Sequence, residues 1–458
     1  MLKKVGLAGM ICCLLFSFKS DNGSSLPELK ISENHRYFTA DNKPFFWLGD
    51  TGWLLFTKLK RDEAEKYLDI RSKQGFNVIQ CMVLHGLGDA DAYGEAALIN
   101  KDVTKPNVSA GLALNNYWDN IDWVISKAEE KGIYIALVPI WGSVVKSAHI
   151  NPQQAKAYAT FLANRYKSHP NIIWMNGGDI AGSDSIKVWN MIGNTIHQID
   201  PNHLITYHPR GRTQSSTWFH NEDWLSFNSI QSGHRTYSQD TSKNDLHYGE
   251  DNWRYVEADY NKVPAKPTLD AEPSYERIPH GLHDTTQPRW TDADVRRYGY
   301  WSVFAGACGY TYGNNDVMQM HMPGDKGSAY GSKGFWYNSI NDPGAQQMIY
   351  LKKLMLSRPY FERIPAQNLI AHGQGERYNR LLATRGKDYA FIYTYTGRNM
   401  DINTSLLPGS RVKASWYNPR NGNITVIGTF SKSKNAKFNP PGEPANGNDW
   451  VLIIDSID

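Results

Sequence analysis

The chain alternates between short apolar segments and amphipathic segments from residue 44 to residue 316, and this alternation limits its fold more than any other feature. Nearly continuous apolar segments are typical of parallel strands that are buried on both faces. Their regular succession with helical patterns indicates an α/β protein built from βαβ units. The predicted strands are residues 45–51, 77–85, 133–141, 171–179, 204–209, 224–234, 266–272 and 307–316.

Eight such strands, with helical patterns at 61–74, 117–131, 152–166, 183–199 and 343–357, predict a (β/α)8 TIM barrel. After the last helix the sequence pattern changes to short runs of alternating apolar and polar residues, such as YAFIYTY and DWVLIID, separated by turn-rich segments. That pattern of short strands and turns is typical of a small β-sandwich. We therefore predict a barrel over residues 25–358 and a C-terminal β-sandwich over 359–458.

The N-terminus has the shape of a secretory signal. Lys3 and Lys4 precede an apolar run at residues 5–18, which is too short to span a bilayer. We predict a signal peptide over residues 1–24 and plain export; the adjacent Cys12 and Cys13 make a lipid anchor the alternative. Removal of this segment leaves two cysteines, Cys81 and Cys308, which we expect to be buried free thiols.

Charge and aromatic content narrow the class of ligand. The chain has 49 basic and 45 acidic residues, a balance that does not favour nucleic acid or an anionic membrane surface as a partner. It also has 15 Trp and 26 Tyr. These side chains combine an apolar face with a polar edge, which suits the C–H faces and hydroxyl rims of sugars, although large barrels also bury many aromatics.

The stretch KPTLDAEPSYE on the seventh strand carries the first candidate catalytic residue. Thr268, Asp270 and Glu272 alternate with apolar residues and share one face, and Pro273 ends the strand. Glu272 is thereby presented at the C-terminal rim, where barrel enzymes hold their active sites. An ordinary salt-bridged Glu at a strand end is the alternative.

The fourth strand ends in Asn176-Gly177-Gly178-Asp179, and Asp179 is the predicted partner of Glu272. Hydrolysis of a glycosidic bond needs one protonated and one ionised carboxyl. We assign Asp179 as acid/base and Glu272 as nucleophile, which implies retention of configuration, although the carboxylate separation decides this. The two glycines allow a bulge or a close backbone approach. Asp179 as a plain helix cap is the alternative.

Other strand ends supply candidates for substrate binding, and each of them could instead be a structural residue. These predicted substrate-binding residues are Asp50, His85, Trp141, His208, His234 and Tyr312. The chain lacks the HxH, HxxxH and CxxC spacings of zinc sites as well as GxGxxG, Walker and GxSxG motifs. We therefore expect no metal and no cofactor.

The motifs WLGDTGW, NGGD and LDAEPSYE, followed by WYNPRNG and NDWVLIID in the C-terminal region, resemble the apiosidase-like glycoside hydrolases of family 140. The resemblance covers nearly all of the mature chain and implies that Asp179 and Glu272 match the catalytic pair of that family. It also implies an apioside of the pectic polysaccharide rhamnogalacturonan II as substrate, and export to the periplasm or cell surface of a Gram-negative, Bacteroides-like bacterium. The C-terminal domain carries a collagen-binding label in that family; we expect it to pack against the barrel.

Two other functions stay open at this stage. The same mechanism could act on another plant glycan, for example as an arabinofuranosidase, galactosidase or mannanase. A non-catalytic surface protein could instead bind glycan or collagen. In either case we expect a monomer with no membrane span, and an oligosaccharide or polysaccharide is the expected ligand of the barrel.

Overall fold

The structure is a computed structural model and describes residues 25–109, 115–241 and 246–457. The predicted signal peptide, with Cys12 and Cys13, lies outside these residues. Within the described ranges, no helix combines the length and the apolar character needed to cross a membrane. Export stays a prediction.

A small antiparallel sheet precedes the barrel. Its strands are β1 (Leu29–Ile31), β2 (Phe38–Ala40) and β3 (Lys43–Phe45). The predicted first strand, 45–51, is therefore two strands separated at Phe46. Phe38 of this sheet packs on Trp47 and Phe227, at ring-centroid distances of 6.1 and 5.0 Å. Trp47 begins the first barrel strand, so the small sheet covers the amino-terminal end of the barrel.

The barrel confirms the predicted fold. Eight parallel strands lie side by side in the sheet, and the short β9 (Thr213–Gln214) pairs antiparallel to the last of them, β10 (Asn228–Gln231). The backbone N–H of Ser226 donates to the carbonyl of Ile205 at 2.8 Å, which links the two ends of the sheet. The strands are β4 (Trp47–Thr51), β5 (Val78–Met82), β6 (Tyr134–Val138), β7 (Ile172–Ile180), β8 (Ile205–Pro209), β9 (Thr213–Gln214), β10 (Asn228–Gln231), β11 (Thr268–Asp270) and β12 (Gly309–Tyr312).

Helices surround this sheet, and the five predicted ones are present with ends shifted by up to three residues. The described residues form seven further helices that the sequence does not predict, of which α8 (Asn252–Tyr260) and α9 (Asp292–Phe304) are the longest. Almost every residue of α9 is buried, so it has no polar stripe to give a helical period. The helices are α1 (Leu55–Lys58), α2 (Arg61–Lys73), α3 (Tyr117–Glu130), α4 (Gly142–Ser147), α5 (Pro152–Tyr166), α6 (Ile186–Ile199), α7 (Ser216–Phe219), α8 (Asn252–Tyr260), α9 (Asp292–Phe304), α10 (Asn315–Met318), α11 (Trp336–Ser339) and α12 (Pro343–Leu356).

The C-terminal region forms the predicted two-sheet domain. The strands are β13 (Ile364–Pro365), β14 (Ile370–His372), β15 (Leu381–Arg385), β16 (Tyr389–Thr394), β17 (Met400–Ile402), β18 (Arg411–Tyr417), β19 (Ile424–Ser431), β20 (Ala436–Phe438) and β21 (Trp450–Ile457). A six-stranded antiparallel sheet has the order β13-β15-β16-β21-β18-β19, and a three-stranded one has the order β14-β17-β20. The domain limits at 358 and 359 stay a prediction.

Alternation along β16 explains how this domain packs against the barrel. Phe391 and Tyr393 belong to the core shared with the barrel, whereas Ala390 and Ile392 belong to the core between the two C-terminal sheets. Tyr393 stacks on Tyr300 of α9 with ring centroids 4.8 Å apart. Both faces of the central strands are therefore buried, and the domain is continuous with the barrel.

Candidate active site

A cavity of about 330 Å³ opens at the carboxyl ends of the barrel strands. Both predicted catalytic residues line it: Asp179 near the end of β7, and Glu272 two residues beyond the end of β11. The cavity is lined by Trp53, Leu54, Lys58, Met82, His85, Trp141, Asp179, Gln231, His234, Glu272, Tyr275, Ile278, Leu282, Met318, Gln319, Asp325, Gly327, Ala329 and Tyr330.

Asp179 sits on a bulge that its sequence makes possible. Gly177, Gly178 and Asp179 have φ values of 89°, 114° and 49°, and the pairing of β7 with β8 shifts register between Gly177 and Ile180. A Cβ on Gly178 would lie 2.6 Å from the Trp141 ring, so only glycine fits there. The bulge presents Asp179 to the cavity, where its side chain is accessible to solvent but surrounded by the cavity walls.

Glu272 is almost fully buried and lies between two imidazoles. His208 Nε2 is 2.8 Å from Oε2 of Glu272, and His234 Nε2 is 3.1 Å from Oε1. Tyr275 packs edge-on against His234 with ring centroids 4.7 Å apart. The carboxylate oxygens of Glu272 are thus each met by one histidine, which orients the group toward the cavity.

His208 contacts both candidate catalytic residues. Its Nδ1 accepts a hydrogen bond from the backbone N–H of Asp179 at 3.2 Å. An imidazole that accepts at Nδ1 carries its proton on Nε2, the atom that faces Glu272. His208 in its neutral form can therefore hold the bulge that carries Asp179 while its Nε2 lies 2.8 Å from the Glu272 carboxylate.

The two carboxyls have opposite pKa shifts. Desolvation by the cavity walls and the negative charge of Glu272 raise the pKa of Asp179 to about 6, against the opposing effects of His208 and Gln231. Burial would raise the pKa of Glu272 too, but the imidazoles of His208 and His234, whose Nε2 atoms lie against its two oxygens, outweigh burial and lower it to about 2. Between these values Glu272 is ionised and Asp179 holds a proton.

Four of the predicted binding residues surround this pair. His85, Trp141 and His234 line the cavity, and the buried His208 lies directly behind Glu272. The Trp141 ring lies 5.8 Å from the His208 ring. These residues have the geometry to contact a bound sugar or to orient the carboxyls.

Asp50 and Tyr312 lie elsewhere. Neither lines the cavity, and both are fully buried. Asp50 accepts hydrogen bonds from the Tyr67 hydroxyl at 2.5 Å and from Arg71 Nε at 2.6 Å, both on α2. The Tyr312 hydroxyl donates to Glu276 at 2.5 Å. Both side chains point outward from the barrel and bond to residues that surround it, so neither reaches the cavity.

Several lining residues were not predicted. Trp53 and Tyr275 fall within the motifs WLGDTGW and LDAEPSYE, so these motifs could have indicated both residues as part of the site. In the structure Trp53 Nε1 donates to the Tyr275 hydroxyl at 3.2 Å. Lys58 pairs with Asp325 at the cavity wall. Tyr330 comes from the segment between α10 and α11, where no periodic pattern marks a functional residue.

The described residues contain no cluster of three or more His, Cys, Asp or Glu side chains arranged to hold a metal ion. The two cysteines of the barrel, Cys81 and Cys308, are buried and free, as predicted. Burial raises the pKa of both thiols. They are therefore inert core residues rather than nucleophiles.

A parallel barrel with two carboxyls of unequal acidity in one cavity is the arrangement of a glycoside hydrolase. The family model described as "Apiosidase-like, catalytic domain" matches residues 32–362. The chain belongs to this apiosidase-like family and is a glycoside hydrolase. A second model, "Putative collagen-binding domain of a collagenase", matches residues 364–455.

Solved structures agree with this family. The chain is 48% identical to a structure described as a glycoside hydrolase, with a TM-score of 0.90 and coverage of 94% of this chain and 97% of the other. A family 5 glycoside hydrolase from Bacteroides vulgatus is 46% identical, with a TM-score of 0.90 and coverage of 94% and 93%. An endo-β-1,4-mannanase from Thermotoga petrophila shares only the fold, at 14% identity, a TM-score of 0.50 and coverage of 91% and 92%. A comparison with curated proteins found no match.

Proposed function

We propose that this glycoside hydrolase cleaves apiosyl linkages with Asp179 as acid/base and Glu272 as nucleophile. The observation that carries the proposal is the shared cavity, in which the pKa of Asp179 is raised to about 6 and that of Glu272 is lowered to about 2. Asp179 would protonate the leaving oxygen as Glu272 attacks the anomeric carbon. Water, activated by the ionised Asp179, would then hydrolyse the glycosyl-enzyme.

The acidity of Glu272 favours retention over inversion. A carboxylate with a pKa of about 2 is a weak general base, because base catalysis works best when the pKa lies near the operating pH. The same low pKa makes the carboxylate a good leaving group in the second step, when the bond between enzyme and sugar breaks. His208 and His234 would stabilise the carboxylate that is released.

The family match supports apiose as the sugar that is released, and the cavity is compatible with apiose. Apiose is a branched furanose; Trp53, Trp141 and Tyr330 supply apolar faces for its C–H groups, while His85 and Gln231 supply polar contacts. The resemblance to family 140 favours side chains of rhamnogalacturonan II as the source of the apiosyl group. Such a large polysaccharide would be met outside the cytoplasm, in line with the predicted signal peptide.

The direct test is product analysis on a panel of oligosaccharides. We expect the protein to release apiose from apiosyl-containing pectic oligosaccharides, and proton NMR of the first product to show the anomeric configuration of the substrate. Arabinofuranosides, galactosides and mannans serve as comparison substrates. Release of another sugar with no apiose would refute the substrate, and an inverted first product would refute the role of Glu272 as nucleophile.

A further inference from the structure

The segment between α10 and α11, residues 319–335, forms part of the wall of the catalytic cavity. It is a loop that contains a short 3₁₀ turn at Ala329–Gly331. Gln319, Asp325, Gly327, Ala329 and Tyr330 of this loop all line the cavity. A cavity wall built from a loop needs contacts from other elements to hold its shape.

Tyr330 has a backbone conformation that its neighbours must impose. Its φ and ψ are 53° and 34°, in the left-handed region that a residue with a Cβ rarely adopts. The next residue, Gly331, also has a positive φ of 55°, and a Cβ there would lie 2.5 Å from Cγ2 of Thr285. Such conformations persist where the surrounding structure holds them, and they cluster at functional sites.

Two buried amide side chains hold the inner side of this turn. Gln319 Nε2 donates to the carbonyl of Ala329 at 3.1 Å, and Gln319 Oε1 accepts from the backbone N–H of Ala329 at 2.7 Å. Asn315 Nδ2 donates to the carbonyl of Tyr330 at 3.1 Å. Gln319 is thus paired with both backbone groups of the residue that precedes Tyr330, which fixes where the Tyr330 side chain begins.

Further contacts tie the loop to elements on either side of it. Arg289 Nη2 donates to the carbonyl of Gly331 at 2.6 Å. Asp325 pairs with Lys58 of α1 and accepts from the backbone N–H of Met322 at 2.9 Å. The loop is therefore a fixed wall of the cavity, and Tyr330 is in place before a sugar binds.

The Tyr330 side chain is half-buried and close to the catalytic pair. Burial raises the pKa of its phenol, and the negative charges of Asp179 and Glu272 raise it further. The phenol is therefore protonated throughout the working range of the enzyme. Among the described residues its hydroxyl has no hydrogen-bond partner, so both the ring and the O–H group are available to a ligand in the cavity.

We propose that Tyr330 is a specificity-determining residue that contacts the sugar at the catalytic pair through both its ring and its hydroxyl, and that Gln319 is a positioning residue that holds Tyr330 there. The ring suits the C–H face of a sugar, and the hydroxyl can bond to a sugar hydroxyl. Because the loop is fixed, a sugar without a hydroxyl at the matching position would leave the phenol unpaired. The inference rests on the proposed catalytic pair but not on apiose as the sugar.

Steady-state kinetics on the nitrophenyl glycosides of apiose, arabinofuranose, galactose and mannose test the role of Tyr330. Tyr330→Phe, which removes only the hydroxyl, should lower kcat/KM for the best glycoside by roughly three- to tenfold. Tyr330→Ala, which also removes the ring, should raise KM by roughly tenfold or more. Both variants should reduce the ratio of kcat/KM between the best and the second-best glycoside. Tyr337→Ala, at an exposed tyrosine on α11 outside the cavity, is the matched control and should change nothing.

A double-variant cycle tests the role of Gln319, which lines the cavity and could instead contact the sugar itself. Gln319→Met keeps the length of the side chain but loses both bonds to Ala329, so it should raise KM and reduce the sugar ratio in the same direction as Tyr330→Ala. If Gln319 acts through Tyr330, adding Gln319→Met to Tyr330→Ala should cause little further change in kcat/KM. Effects that multiply in the double variant would overturn the positioning role.

The remaining outcomes separate this inference from the proposed function. Unchanged KM and sugar ratio in both Tyr330 variants would overturn the inference, while release of apiose by the same proteins would leave the proposed function standing. A parent enzyme that prefers another glycoside, with that preference reduced by Tyr330→Phe and Tyr330→Ala, would refute apiose and support the role of Tyr330. An equal fall in kcat on all four glycosides would show a general structural effect and overturn the specificity role. A parent that cleaves none of the four would overturn both.

Discussion

His208 Nε2 lies 2.8 Å from Oε2 of Glu272 in the floor of the catalytic cavity. The other ring nitrogen of His208 accepts from the backbone N–H of Asp179, so Nε2, the atom in contact with the Glu272 carboxylate, is the one that carries the proton. This contact, with that of His234, is why Glu272 is ionised despite its burial. The acidity of Glu272 is therefore imposed by its neighbours and can be changed without touching Glu272 itself.

Replacing His208 with Ala should raise the pKa of Glu272, because burial would then be opposed by His234 alone. The acidic limb of the pH profile of kcat/KM should move upward by about one unit or more. His234→Ala should move it in the same direction. Profiles measured on folded protein distinguish this effect from instability, since a merely structural loss lowers kcat/KM without moving the limb. An unmoved limb in both variants would contradict the assigned role.

The unmutated enzyme should have an acidic pH optimum. Activity needs Glu272 ionised, which holds above its pKa of about 2, and Asp179 protonated, which holds below its pKa of about 6. Above pH 6 the protonated fraction of Asp179 falls about tenfold per pH unit, so kcat/KM at pH 8 should be roughly a hundredfold below its maximum. A profile of kcat/KM from pH 3 to 8 checks this. A plateau that extends to pH 8 would mean that Asp179 is not the proton donor.

Glu272→Gln should remove nearly all turnover, by on the order of 10⁴-fold in kcat, because the amide cannot attack the anomeric carbon. The substitution keeps the shape of the side chain, so the melting temperature should stay close to that of the parent. Asp270→Asn, at the end of β11 and two residues before Glu272, is a nearby control. Residual activity near that of the parent would refute the assignment of Glu272.

Asp179→Asn should lower turnover by roughly 10² to 10⁴-fold on natural glycosides, because the leaving oxygen loses its proton donor. Aryl glycosides with acidic leaving groups need no such proton and should be affected least. The same variant should also lose the descending limb of the pH profile above pH 6. An equal loss on natural and activated substrates would show that Asp179 has another role.

The barrel and the position of Asp179 could be predicted from the sequence because strand burial and backbone geometry both restrict which residues are possible. Strands buried on both faces must be almost wholly apolar, so each one stands out against its amphipathic helix. Two adjacent glycines before an acid at a strand end indicated a bulge, and the structure has one between Gly177 and Ile180. The carboxyl ends of parallel strands meet at one rim, so Asp179 and Glu272 could be expected in one cavity, and both line it.

The sequence could not tell which face of β4 and β12 turns inward. Trp47 Nε1 donates to Thr311 Oγ1 at 3.0 Å inside the barrel, so alternation turns Asp50 and Tyr312 outward. The structural role of Asp50 could have been inferred from α2, whose buried face includes Arg71. A buried arginine requires an acidic partner, and Asp50 is that partner. The loop residues of the cavity wall, such as Tyr330, have no comparable signal in the sequence.

Asp50→Asn distinguishes a structural role from substrate binding. The change leaves the Arg71 guanidinium buried without its counter-charge, which should lower the free energy of unfolding by about 3 to 5 kcal/mol. Chemical denaturation measures this loss. Asp69→Asn, which removes one of the two acidic partners of the partly buried Lys131, is the matched control and should cost less than about 1 kcal/mol. The kcat/KM of folded Asp50→Asn should match that of the parent; a large fall in kcat/KM at unchanged stability would place Asp50 in the substrate-binding site instead.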